Sequence, residues 1–178
     1  MRLFFALDPN NAVRAALCAV QQRMAAQKID CALVPAGNFH VTLRFLGETN
    51  DLGGISKALC ECVRGIRPFE LRLSGLSAFG AGPKKTVVAL LSGNTAEAKA
   101  LFESAEAALG RVGFLREKRP LVPHITLARR AVLPAGALEV LASHLQPAGF
   151  TAEHLTLYES VKGRSGQMIY RPLQKERF

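Results

Sequence analysis

Two hexapeptides, HVTLRF at residues 40–45 and HITLAR at 124–129, each set a histidine two positions ahead of a threonine in a run of β-favouring apolar residues. A strand sends successive side chains to opposite faces, so His40 and Thr42 share one face while Val41 and Leu43 share the other, and His124 and Thr126 repeat this against Ile125 and Leu127. At a rise of ~3.3 Å per residue each pair spans about 7 Å, so two imidazoles and two hydroxyls can flank one small oxyanion. Imidazole titrates near pH ~6.5, which lets one ring start neutral as a base and the other protonated as an acid; either role is worth on the order of 10² to 10⁴ in rate. Threonine hydroxyls are well sized to hold non-bridging phosphate oxygens. This chemistry favours hydrolysis of a phosphoester without metal.

Other site chemistries fit less well. Zinc wants three or four N, S or carboxylate ligands, and neither motif has an Asp, Glu or Cys at a matching spacing. His-Glu-x-x-His and G-x-S-x-G are both lacking, so no metal and no cofactor is expected. Strand parity puts Arg44 on the face of His40, whereas Arg129 has the opposite parity to His124. Phe45 is also out of parity with Thr42 and is expected in the core rather than as a base-stacking platform. His144 and His154 lack the following Thr and read as ordinary histidines.

The positioning elements follow from local pattern. Residues 2–7 form a buried strand, and Asp8 as N-cap with Pro9 at the first helical position opens a helix with Val13, Ala16, Leu17, Val20 and Met24 inward. After the first motif strand come a helix carrying Ile55, Leu59, Cys62, Val63 and Ile66, a strand at 69–76, a Gly/Pro turn and a return strand at 87–91. A helix from Asn94 or Thr95 buries Ala98, Leu101, Phe102, Ala105 and Leu109. It leads to the second motif strand, a short helix with Leu138, Leu141 and Leu145, a strand at 150–158, a turn at 162–166 and a last strand at 168–173.

Corresponding landmarks recur at 124 − 40 = 84, 150 − 69 = 81 and 168 − 87 = 81 residues. Near-constant offsets imply an internal duplication: an α+β fold of two pseudo-symmetric lobes, each an antiparallel sheet with helices, with the H-x-T motifs facing each other across a cleft. At 178 residues with 49% hydrophobic, the chain suits one bilobal domain over 1–178. Its net charge of +9 attracts polyanions such as RNA, and Lys84, Lys85, Arg116, Lys118 and Arg119 could track an RNA backbone. Cys18, Cys31, Cys60 and Cys62 show no C-x-x-C spacing and read as free thiols of a reducing cytoplasm. No stretch approaches the ~20 apolar residues of a membrane span.

The paired motifs, the opening RLFFALDP, HVTLRFLG at 40–47, PHITLAR at 123–129, LYES at 157–160 and the closing Gly166 and Tyr170 resemble the 2H phosphoesterase superfamily, and within it the bacterial RNA 2',3'-cyclic phosphodiesterases, also called 2'-5' RNA ligases. A monomer is expected, and the resemblance implies an enzyme that opens a terminal 2',3'-cyclic phosphate on RNA to a 2'-phosphomonoester without metal, with a 2'-5' ligase side activity. Carried over, His40 is the proton donor to the departing O3', His124 the proton acceptor from water, Thr42 and Thr126 hold phosphate oxygens, and Arg129 reaches the phosphate, which its parity allows through a twist or bulge after Thr126 or a side chain bending round the strand end; Arg44, on the His40 face by parity, is a second candidate. An arginine that the family often carries near Lys84–Thr86 is missing here. The same site could serve small cyclic nucleotides, ADP-ribose cyclic phosphate or 2'-5' oligonucleotides, or the basic cleft could belong to a non-catalytic RNA-binding module.

Overall fold

The computed structural model describes residues 1–163 and 166–178. Strand β1 (Arg2–Leu7) leads to helix α1 (Asn11–Ala26), the short strand β2 (Ala32–Leu33), β3 (Val41–Glu48), α2 (Leu52–Cys62) and the long hairpin β4 (Phe69–Phe79) and β5 (Lys85–Gly93). Then follow α3 (Thr95–Arg111), β6 (His124–Ala131), α4 (Ala137–Ala142), β7 (Gly149–Ala152), β8 (His154–Lys162) and β9 (Met168–Arg177). All strand pairs are antiparallel, in the order β7-β4-β5-β6-β3-β1-β8-β9, with β2 added beside β6. The fold is α+β.

Outward from the β3–β6 junction the order reads alike on both sides: a motif strand, then β1 or β5, then β8 or β4, then the edge strand β9 or β7. The lobes are therefore not the two halves of the sequence. β4 and β5, from the middle of the chain, flank β6, while β1 from the start and β8 and β9 from the end flank β3. The helices cross over too: α1 leaves β1 yet packs with α4 against β6 and β7, and α3 leaves β5 yet packs with α2 and β3. Buried residues from these elements form one contiguous hydrophobic cluster.

The expected inward faces of α1 and α3 are buried as read. Three local readings are corrected. The N-cap of α1 is Asn10, whose side chain accepts from Val13 N, because the Asp8 carboxylate is taken by Thr156 and Tyr158. The strand expected at 150–158 breaks at Glu153 into β7 and β8, which pair on opposite sides of the sheet, with β4 and with β9. The last strand runs four residues further than expected, to Arg177, and within the 162–166 turn Arg164 and Ser165 lie outside the described residues.

Candidate active site

β3 and β6 meet through one pair of opposed residues, Val41 and Ile125, both buried with their side chains in the core. Antiparallel register carried one step either way sets His40 beside Thr126 and Thr42 beside His124, on the face opposite the core. One cross-strand contact thus gathers both H-x-T motifs, and beyond it the strands part company, each toward its own lobe.

Both rings are pinned in the same way. His40 Nδ1–H donates to the Asn38 carbonyl at 2.7 Å and His124 Nδ1–H to the Val122 carbonyl at 2.7 Å. A carbonyl only accepts, so each neutral ring carries its proton on Nδ1 and keeps the Nε2 lone pair free. In His40, Nε2 accepts from the Thr42 hydroxyl at 2.9 Å. Aromatic walls fix the rings further: Phe4 lies 4.9 Å and Tyr170 5.0 Å from His40, the latter edge-on, and Phe79 lies edge-on 5.2 Å from His124. Phe4 in turn stacks on Tyr158, whose hydroxyl donates to Asp8 at 2.6 Å.

The His40 pKa is lowered from its ordinary value to about 4, chiefly because burial penalises the charged ring; the charges of Arg129 and His124 push the same way, while the Asn38 carbonyl and Asp8 oppose them. Burial and the Asp8 carboxylate push the Tyr158 phenol up, so it stays a donor.

Arg129 reaches the cleft because β6 bulges. Thr126 pairs with Val88 and Ala128 with Val87, so two steps on β6 match one on β5 and Leu127 is the extra residue. Leu127 and Ala128 are consecutive and both fully buried, which puts Arg129 on the face of His124 and Thr126; a second irregularity follows at Arg130, which has a φ of 55° and is exposed like Arg129. The Arg129 side chain lines a cavity with Phe4, Phe45 and Tyr170.

The same bulge occurs in β3, where Thr42 pairs with Ala6 and Arg44 with Phe5. It overturns one parity reading. Phe45, three residues past Thr42 as Arg129 is past Thr126, is 55% exposed and lines the cavities on both sides of the cleft rather than the core. Arg44 lines one cavity with Thr42 and His124, as parity put it, and its guanidinium pairs with the buried Glu106 carboxylate and donates to the Phe45 and Leu115 carbonyls. Its Nε, Nη1 and Nη2 each donate one bond within the protein.

Reading the motifs alone missed the aromatic shell of Phe4, Phe45, Phe79 and Tyr170. The outward turn of Phe45 had a signal in sequence, the identical spacing of Phe45 and Arg129 after their threonines. The basic residues at 116–119 are partly answered by acids, Arg116 by Glu103 and Arg119 by Glu117. Lys85 donates to the Gly80 carbonyl within its own turn. All four cysteines are free thiols. Among the described residues no three His, Cys, Asp or Glu side chains cluster as metal ligands would, and no helix is long and apolar enough to cross a membrane.

The family model of the 2'-5' RNA ligase superfamily matches residues 8–164. An RNA 2',3'-cyclic phosphodiesterase of Thermotoga maritima is 31% identical over 136 residues, 75% of this chain and 72% of the relative, and one of Aeropyrum pernix is 31% identical over 153 residues, 74% and 86%. Among solved structures, TT0787 of Thermus thermophilus superposes with a TM-score of 0.81 at 27% identity, covering 99% of this chain and 97% of that one. Escherichia coli LigT complexed with 3'-AMP gives 0.71 at 26% identity, covering 99% and 97%. The chain belongs to the 2'-5' RNA ligase superfamily, among the 2H phosphoesterases, and is a phosphodiester hydrolase.

Proposed function

We propose that the protein opens 2',3'-cyclic phosphate ends of RNA to 2'-phosphomonoesters, with His40 and His124 as the acid/base pair. The observation that carries this reading is the single Val41–Ile125 contact, which brings two identically pinned imidazoles, each with a threonine, around one cleft. One histidine takes a proton from water as its oxygen bonds to phosphorus; the P–O3' bond breaks and the other histidine protonates O3'. Thr42, Thr126 and the Arg129 guanidinium hold the non-bridging oxygens as charge builds. Phe45 offers the terminal base a flat exposed face. A 5'-hydroxyl in place of water would give the 2'-5' ligase side activity. In support, the Thermotoga and Aeropyrum relatives carry this activity in their names, and E. coli LigT holds 3'-AMP.

Two assignments of the roles are open to test. In the first, His40 is the donor and His124 the acceptor, which requires the bound phosphate to draw a proton onto His40. The lowered pKa of His40 favours the second, in which His40 enters neutral as the base and His124 is the acid. The same reading takes residues 1–178 as one two-lobed domain built from a doubled unit, working as a cytoplasmic monomer; the mirrored strand order supports the doubling.

The test is turnover of a cyclic-ended oligonucleotide in EDTA by wild type, His40→Ala and His124→Ala. The proposal expects a 2'-phosphate product, no effect of chelator and a loss of about a hundredfold or more in each variant. A 3'-bridging sulfur is a good leaving group without protonation, so it restores the variant that lacks the acid and not the one that lacks the base. Full activity in either alanine variant refutes the acid/base pair, and RNA binding without turnover returns the protein to a phosphate-holding module.

A further inference from the structure

The bulge that aims Arg129 is held from outside its own sheet ladder. Gln21, on the buried face of α1 and only 9% exposed, uses both hydrogens of its Nε2: one donates to the Leu127 carbonyl at 2.8 Å and the other to the Val34 carbonyl at 2.7 Å. Leu127 is the extra residue of the bulge, and its carbonyl also accepts from Val34 N at 2.8 Å. β2 extends this clamp along the strand, with Ala32 opposite Arg129 and Leu33 opposite Ala128. An uncharged amide buried at a strand irregularity 106 residues away in sequence, with each hydrogen on a different carbonyl, ties α1, the β2 segment and β6 at the residue where side-chain parity flips.

We infer that Gln21 is a positioning residue for Arg129: by holding the Leu127 bulge it keeps the guanidinium on the face of His124 and Thr126. The inference rests on Arg129 being the phosphate contact. Without the clamp, β6 can relax toward regular pairing with β5, and a strand that loses its extra residue turns the side chain at 129 to the opposite face.

The test is a set of double mutants. Gln21→Leu keeps the volume and removes the donor, and Gln21→Met does so with an unbranched chain should the leucine variant fold poorly. Either should lower kcat/KM about tenfold, mostly through KM, since small displacements of a positioning group carry costs of this size and larger. In an Arg129→Ala background the Gln21 substitution should change the rate by less than about twofold, whereas in Thr126→Ala the tenfold loss should persist. A purely structural role would scale all backgrounds alike. A readout independent of turnover is the His40 titration: Arg129 helps to depress His40, so Gln21→Leu should raise the His40 midpoint, and should not do so when Arg129 is already alanine. A folded Gln21→Leu with wild-type kinetics and an unmoved His40 midpoint overturns the inference, as does an equal loss in every background. A silent Arg129→Ala instead refutes the phosphate reading on which it rests, and the His40 titration then still decides whether Gln21 places the guanidinium.

Discussion

His40 should make the protein acid-sensitive in a window set by its own titration. Its folded-state pKa of about 4 lies below the ordinary 6.5, so folding prefers the neutral ring. Above pH ~6.5 the group is neutral folded or unfolded and costs nothing; as pH falls toward 4 the unfolded chain takes the proton and the folded one does not, so stability drops. With these two values the loss between pH 7 and pH 5 comes to about 2 kcal/mol, an upper figure because water reaches the ring through the cleft. At this chain length that corresponds to a fall in Tm of about 4 to 8 °C. Carboxylates also titrate on the way down, so the measurement is a difference: urea unfolding of wild type and His40→Asn at half-unit steps from pH 7.5 to 4.5. The wild type should lose about 2 kcal/mol more than the variant by pH 5. An NMR titration of the His40 ring should show the midpoint directly, rising in Arg129→Ala and falling further in Asp8→Asn, because those charges act on it in opposite senses. Parallel stability curves, or a midpoint at 6 or above, refute the burial argument and remove the case for His40 as the resting base.

Other perturbations separate site from scaffold. Arg129→Ala should lower kcat/KM for a cyclic-ended oligonucleotide by about 10² or more with little change in Tm, since its side chain is exposed in the cleft; steady-state kinetics beside a melting curve decide it. Phe45→Ala should raise KM by the equivalent of about 1 to 3 kcal/mol of lost base stacking, more for a nucleotide than for a phosphodiester without a base. Glu106→Ala leaves the Arg44 guanidinium buried beside an empty place and orphans the Glu117 amide, and should cost about 3 to 5 kcal/mol in urea unfolding. Gly93 has a φ of +94° and a β-carbon there would lie 2.8 Å from the Glu70 carbonyl oxygen, so Gly93→Ala should destabilise by about 1 to 3 kcal/mol in the same assay.

Period and composition were enough for the helices, because α1 and α3 each bury one clean stripe and nothing in their tertiary contacts opposes it. They were enough to put His40, Thr42, His124 and Thr126 on one face of their strands, since these residues lie before any irregularity. Parity failed three residues later in both motifs, and for one reason: it assumes an unbroken ladder, and the bulges that shift Phe45 and Arg129 arise from pairing with β1 and β5, which a single strand does not encode. The ion pair of Arg44 was not legible because its partner, Glu106, sits 62 residues away on α3. The Asp8 cap failed similarly, as Thr156 and Tyr158 from the far end of the chain outcompete a local amide. Local rules held wherever the partner was local.

The symmetry of the two motifs makes their histidines equivalent in covalent terms, so whatever tells acid from base must come from groups that differ between the copies. Three such groups surround them. Arg129 occupies the place that Phe45 occupies in the other motif, so a cation from one motif strand and an exposed apolar ring from the other line the same cavity. Arg44, the cation on the first motif, is withdrawn into a pair with Glu106 and does not offset this. Asp8, tied to Tyr158 behind Phe4, adds negative charge on the side of His40. If, as proposed, the phosphate meets Arg129 and the base meets Phe45, one orientation of the nucleotide is favoured, because the reverse would set an anion against a phenyl ring. That orientation decides which bridging oxygen faces which imidazole, so exchanging the side chains at 45 and 129, not the histidines, is the change expected to alter which ester bond breaks. Product analysis of the Phe45→Arg/Arg129→Phe pair, reading 2'- against 3'-phosphate, should show the lost preference; an unchanged 2'-phosphate product would place the origin of selectivity in the histidines' own surroundings instead.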